Sequence, residues 1–228
     1  MATVARFNVT PVKGTALLHP EAVTFTEAGI PENRRFFLVD ARGELFSGSD
    51  FGPLVQVRAS IGDNGELTCA FPGGNLVSGP SDDVGDRLLV DFYGRPVHAR
   101  EVRGPFAAAF SDHAGAAVRL LRTDRDGDGA DVLPLTIVGT ASVADLGRRG
   151  GYAGELDPRR FRINVELDGT DPFEEDTWSG RSVAMGDAVI RVAGQIPRCV
   201  VTTQNPGTGL QDWNTLKQIA AFRSPMPD

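Results

Sequence analysis

The sequence predicts a mainly β fold with a few short helices, an α+β protein whose first hundred or so residues form a small barrel or sandwich. Three observations predict it. Short runs of alternating apolar and polar residues, the pattern of half-buried strands, dominate the N-terminal half. Glycine (27) and proline (15) punctuate these runs often enough to supply a tight turn between each pair. Helical spacing of apolar residues is confined to a few short stretches, the clearest near the C-terminus.

Residues 3–12 alternate and read as a first strand, and residues 21–27 as a second. Asn33-Arg34-Arg35 leads into the strongly apolar Phe36-Phe37-Leu38-Val39-Asp40, and Ala41-Arg42-Gly43-Glu44 turns it back into Leu45-Phe46. Two further hairpins follow: residues 55–61 with 66–71 around Asp63-Asn64-Gly65, and residues 87–92 with 95–100 around Tyr93-Gly94. Alanine-rich Pro105 to Gly115 predicts a helix, and Val118 to Arg122 a strand. Leu135 to Val138 is apolar and expected to be buried, and Ser142 is placed to N-cap a short helix through Leu146. Residues 162–167 and 189–192 read as strands, and Leu210 to Phe222 as a helix with an apolar stripe.

Composition narrows the function. With 23 basic and 30 acidic residues the net charge is −7, so no general attraction to nucleic acid is implied, and any anionic ligand must be held by a local cluster of cations. No apolar run approaches the roughly 20 residues that span a bilayer, and Met1 to Phe7 lacks the features of a signal peptide, so a cytoplasmic protein without membrane contact is expected. Two cysteines, Cys69 and Cys199, cannot hold an iron–sulfur cluster or a structural zinc. Asp124 to Gly129 matches the first half of a calcium loop, but Leu135 stands where a bidentate glutamate is needed, so a surface loop without calcium is expected. The three histidines are scattered, and no phosphate-binding or dinucleotide fingerprint follows a strand. Glu174-Glu175-Asp176 reads as a solvated acidic turn, and Trp178 and Trp213 as core.

The informative cysteine is Cys199. It is expected to end an apolar strand beside Arg198, just before the polar loop Gln204 to Gly209. A cationic neighbour favours the thiolate, the form that ligates metal or attacks as a nucleophile, whereas a buried structural thiol is the ordinary fate of a lone cysteine. Cys69, mid-strand without basic neighbours, reads as filler.

Residues 197–209 (Pro-Arg-Cys-Val-Val-Thr-Thr-Gln-Asn-Pro-Gly-Thr-Gly), with Gly151 to Asn164 and Phe173 to Trp178 upstream, resemble the signature of the MOSC family, named for the C-terminal domain of molybdenum cofactor sulfurase. The N-terminal part, through Pro11-Val12-Lys13-Gly14, Asn33-Arg34-Arg35-Phe36 and Phe37 to Gly43, resembles the β domain that precedes MOSC in members such as the mitochondrial amidoxime-reducing component and in bacterial stand-alone MOSC proteins. The resemblance implies a MOSC-associated β-barrel domain at residues 1–103 packed on a MOSC-type β-barrel at 104–228, with the molybdenum cofactor, molybdopterin, in the cleft between them. Cys199 would ligate molybdenum, since a thiolate suits that metal. Lys13, Gly14 and Arg34 would bind phosphate, and Arg198, Thr140 and Ser142 would contact the cofactor. Arg162 and Asn164, two apart on one expected strand, would share a face and position oxo group and substrate.

Three departures bear on the phosphate side. Asn33 stands where an aspartate is usual, Gly14 where relatives often have serine, and Leu45 to Ser49 lacks a commonly found arginine. The expected activity is a molybdenum-dependent reduction of N-hydroxylated small molecules, with electrons from a separate reductase of flavin or ferredoxin type. A sulfur carrier using a Cys199 persulfide and a non-catalytic cofactor binder are the alternatives.

Overall fold

Four consecutive large apolar residues in a strand must be covered on both faces, because successive side chains point to opposite sides. Phe36-Phe37-Leu38-Val39 is such a run. In the computed structural model, which describes residues 2–223, all four are fully buried at the centre of the molecule.

The strands in chain order are β1 (Thr3–Phe7), β2 (Phe36–Asp40), β3 (Leu45–Phe46), β4 (Arg58–Ile61), β5 (Glu66–Ala70), β6 (Leu76–Pro80), β7 (Val84–Phe92), β8 (Arg95–Val102) and β9 (Val118–Thr123). They continue with β10 (Ile137–Gly139), β11 (Val165–Asp168), β12 (Ser182–Met185) and β13 (Ala188–Arg191). The helices are α1 (Phe106–Ala114), α2 (Thr140–Arg149) and α3 (Thr215–Phe222). An antiparallel five-stranded sheet of order β3-β2-β9-β8-β7 carries β2. Phe36 and Leu38 face a core completed by Ala59, Leu67 and Cys69 of the three-stranded sheet β4-β5-β6 and by Phe106 and Phe110 of α1. Phe37 and Val39 face a second core with Phe92, Val97 and Leu121. Each such side chain contributes roughly 1.5–3 kcal/mol on burial.

In the third sheet β11 pairs antiparallel with β1 and parallel with β10. One side packs α2 and α3 around Val143, Leu146, Leu156, Phe161 and Ile163. A polar network clasps the first residues to this sheet. Glu166, 3% exposed, accepts from Arg6 Nη2 at 2.8 and 2.9 Å and from Asn8 Nδ2 at 2.7 Å. The strands β12 and β13 form a separate hairpin.

The fold class is as expected, a mainly β protein with three helices, but no sheet among the described residues closes into a barrel. Several elements differ. Residues 21–27 make only the isolated bridge of Thr26 with Gly29: Phe25 packs edge-on to Phe7, yet no strand lies alongside to pair the backbone. The first strand stops at Phe7, because Thr10 and Thr15 turn inward and bond each other at 2.8 Å. The second hairpin's first arm, expected from Val55, begins as a 3-10 turn, Gly52–Gln56, opened by Pro53. The strand expected from 162 starts at Val165, and the helix expected from 210 starts at Thr215, capped by Asn214 accepting from the Lys217 amide at 3.0 Å. Ser142 lies inside α2, which Gly139 precedes. Leu135 to Val138 is half-buried, and β6 and β12 have no counterpart in the sequence reading.

The boundary between 103 and 104 does not divide the sheets. β9 belongs to the N-terminal sheet and β1 to the C-terminal one, while residues 224–228 of the expected second domain lie outside the described residues. Among the described residues no helix is long and apolar enough to cross a membrane.

Gly52 and Gly209 touch where the two halves meet. A Cβ on Gly209 would sit 2.1 Å from the Gly52 carbonyl carbon, and its φ of 76° is left-handed. Gly209→Ala is therefore expected to lower the unfolding free energy by about 3 kcal/mol, from forced packing and backbone strain together, in urea titration.

Candidate functional site

A cleft of about 470 Å³ opens between the loops of the five-stranded sheet and the segment carrying Cys199. Lys13 is fixed by the edge-on bridge of Val12 with Phe36, its amide donating to the Phe36 carbonyl at 2.8 Å. Gly14 follows in a left-handed conformation, φ 93°. Arg34, also left-handed, is anchored by its amide on the Thr10 carbonyl at 2.6 Å. From the loop after β9 comes Asp131, whose carboxylate accepts from Lys13 Nζ and, at 2.6 Å, from Arg34 Nη1.

The opposite wall is built by residues 158–162 and 196–204. Arg162 ends the 3-10 turn Pro158–Phe161 at φ 51°. Its Nη2 donates to the Thr15 carbonyl at 2.6 Å, and its own carbonyl accepts from Arg34 Nη2 at 3.3 Å. Arg198 donates to the Phe161 carbonyl and stands over the Phe161 ring, 5.7 Å from its centroid. Cys199 is exposed and precedes the 3-10 turn Val200–Thr203, its carbonyl accepting from the Thr202 amide at 3.1 Å and hydroxyl at 2.9 Å. It does not end a strand: β13 stops at Arg191 and residues 192–199 belong to no strand or helix. Behind it, the fully buried Arg160 side chain donates to the Gln204 carbonyl at 2.9 Å, to Asp212 at 2.9 Å and to the Tyr152 hydroxyl at 3.1 Å, clamping the chain that follows the cysteine.

The electrostatics are those of crowded cations. Burial, reinforced by Arg34 and Arg162, pulls the Lys13 pKa down to about 8 against the opposing pull of Asp131. Burial and Arg34 together weaken Arg162 to about 9, which still leaves it charged at neutral pH, and burial also lowers Arg198. Asp131 goes the other way: burial alone would raise it, but Arg34 and Lys13 outweigh that and hold it below the usual carboxylate range. Cys199 lies close enough to Arg162, Arg198 and Tyr93 to act on the charge of each.

Six of the nine residues singled out from the sequence line this cleft: Lys13, Gly14, Arg34, Arg162, Arg198 and Cys199. Three do not. Asn164 is buried beneath β10 and β1, accepting from the Thr136 amide at 3.2 Å and donating to the Asn8 carbonyl at 3.2 Å. The expected shared face with Arg162 does not exist, because Arg162 is left-handed and lies ahead of β11. Thr140 donates to the Leu167 carbonyl at 3.3 Å, and Ser142 to Glu175 at 2.8 Å. Both belong to the start of α2, and Glu175 also accepts from the Gly139 amide at 3.1 Å, so the acidic turn is a fastening of that helix.

Asp131, Tyr93, the Ser47-Gly48-Ser49 loop and Arg160 were not read from the sequence. Asp131 sat inside a run of Asp and Gly with nothing to set it apart. The other carboxylates of that run pair with arginines, Asp124 with Arg87 at 2.7 Å and Asp126 with Arg35 at 2.8 Å.

The residues present fit an anionic, phosphate-bearing ligand with a thiophilic metal. Besides Arg159 and Arg160, which pair with Asp157 and Asp212, the cleft holds Lys13, Arg34, Arg162 and Arg198 with the Asp131 carboxylate, and Arg198 Nε is buried without a hydrogen-bond partner. The left-handed Gly14 has no side chain to keep a ligand from its backbone. Among the described residues no three His, Cys, Asp or Glu side chains come together to chelate a bare ion, so a metal here would arrive with ligands of its own. A larger cavity of about 620 Å³ lies across Ile196 to Arg198, between α2 and α3, but it lacks the thiol and has neither Lys13, Arg34 nor Arg162.

Residues 1–100 match the MOSC N-terminal beta barrel domain and residues 124–224 the MOSC domain. Mitochondrial amidoxime reducing component 2 of Rattus norvegicus is 35% identical over 239 residues, covering 93% of this chain and 69% of that protein. The Homo sapiens protein of that name is 37% identical over 82 residues, 36% of this chain and 23% of its own length. Molybdenum cofactor sulfurase of Drosophila mojavensis is 26% identical over 233 residues, 94% of this chain but 29% of that longer protein.

The lowered pKa of Lys13 fixes a sign. Between about 8 and 10.5 the unfolded lysine holds a proton that the native one has released, so unfolding free energy rises with pH across that window. Wild type is expected to gain on Lys13→Met by at most about 1 kcal/mol per pH unit from pH 8 to 10, read by urea unfolding of both proteins.

Proposed function

Because the chain belongs to the MOSC family, we propose that its cleft binds molybdenum cofactor and that the protein reduces N-hydroxylated small molecules. The observation that carries this reading is an exposed thiol, Cys199, set among Arg34, Arg162, Arg198 and Lys13 in a protein whose overall charge is −7. Cations gathered against the global sign point to an anion, and the thiol beside them to a soft metal.

Lys13 and Arg34 would hold the phosphate, Lys13 as a point charge and Arg34 as a fork, with the Gly14 backbone close beside it. Arg162 and Arg198 would hold the ligand from the opposite wall, and Cys199 would ligate molybdenum. When bound, the cofactor supplies a two-electron centre at which N–OH, two electrons and two protons become N–H and water. The protein's share is to fix the thiol through the Arg160 clamp, to neutralise the ligand's charge, and to surround the metal with half-buried walls. Electrons would come from a separate reductase, since two cysteines cannot hold an iron–sulfur cluster. The proposed setting is the cytoplasm, although the amidoxime reducing relatives are named as mitochondrial.

Protein purified from cells that make molybdenum cofactor is expected to carry about one molybdenum and one pterin per chain. Cys199→Ser is expected to lose the metal, and Lys13→Ala with Arg34→Ala most of the pterin, both read by metal analysis and pterin fluorescence. Wild type without either, but with sulfur label on Cys199, would replace this reading with sulfur transfer through a persulfide. Metal and pterin without turnover of any N-hydroxylated compound would leave a cofactor binder.

A further inference from the structure

Tyr93 occupies a place where physical chemistry disfavours it. It forms, with Gly94, the two-residue turn between β7 and β8, and both residues are left-handed, φ 54° and 87°. Such a turn prefers asparagine or glycine at its first position, and a bulky side chain there is strained. The ring does not repay the strain by entering the core, for the residue is 65% exposed. It rests edge-on against Phe92, centroids 6.2 Å apart, with Lys13 Nζ 5.9 Å from its centroid, and it lines the cleft. Strain retained at a site of this kind leads to a functional reading.

The rest of the cleft mouth has matching chemistry. Val132, exposed to 64%, and half-buried Val201 line the same opening. Asp131, which pairs with Lys13 and Arg34, lines the same cleft and lies near enough to Tyr93 to act on its hydroxyl. We propose that Tyr93 is a substrate-selecting shelf, on which the flat aryl group of a substrate stacks between Val132 and Val201. It rests on the reading of the cleft as a reductase site and names the substrates that site prefers.

The test compares benzamidoxime with acetamidoxime, which differ in the ring, on wild type, Tyr93→Phe and Tyr93→Asn. Affinity is measured by calorimetry on the purified protein, KM with an artificial electron donor, and thermal midpoint in parallel. The preference for the aryl probe is expected to fall about three- to tenfold in Tyr93→Asn and to be retained in Tyr93→Phe. The midpoint of Tyr93→Asn is expected to be no lower than that of wild type, because asparagine suits the turn better. An unchanged preference, or equal loss of both probes with a lowered midpoint, overturns the shelf. Aryl preference that depends on Tyr93 in a protein holding no molybdenum would keep the shelf and overturn the reductase reading. Molybdenum-dependent turnover with no such preference would do the reverse.

Discussion

The repulsion among Lys13, Arg34, Arg162 and Arg198 is the constraint around which the rest is arranged. Each is partly or wholly withdrawn from water, and among the described residues that line the cleft Asp131 alone stands with them as a counter-charge. Burying charge without a partner is costly, and burying like charges together more so. The chain accepts backbone strain to do it: Arg34 and Arg162 are both left-handed, on the order of 1 kcal/mol each for such residues. Carbonyls of Thr10 and Thr15 hold them there. An anion entering the cleft would relieve the repulsion, so the fold is poised for one.

The thiol depends on a different device. Cys199 has no sheet to hold it, and its position is set from behind by Arg160 and by Thr215, whose hydroxyl donates to the Thr202 carbonyl at 2.7 Å. A guanidinium suits this task because its fixed fork reaches carbonyl, carboxylate and phenol at once. Cys69 shows the contrast. It lies in the core between sheets, and burial pushes its thiol up to about 12, where it is inert.

Much of this was legible in the residues. Phe36 to Val39 announced a strand covered on both faces, and Tyr93-Gly94 a hairpin, because both signals are local. Lys13, Arg34, Arg198 and Cys199 were found through motif order, and the fold does bring them to one cleft. What failed was the assumption of regular backbone. Arg162 and Asn164 were placed on one face by a period of two that begins only at Val165. Asp131 and Arg160 were missed because their importance lies in partners distant in sequence, Lys13 and Arg34 for one, Gln204 and Asp212 for the other. Residues 21–27 had the alternation of a strand but no neighbour to bond, which no local pattern reveals.

The pairing of β1 with β11 sets an order of events during synthesis on the ribosome. Thr3 to Phe7 leave the exit tunnel well before their partners, Val165 to Asp168, which are made some 160 positions later, as the separation of Arg6 from Glu166 shows. At 5–20 residues per second, typical of translation, that is a wait of roughly ten to thirty seconds. The five-stranded sheet can assemble as soon as β9 has emerged, leaving the leading strand unpaired outside it. The first strand is thus paired late, and until β11 arrives its edge stays open to the wrong partner.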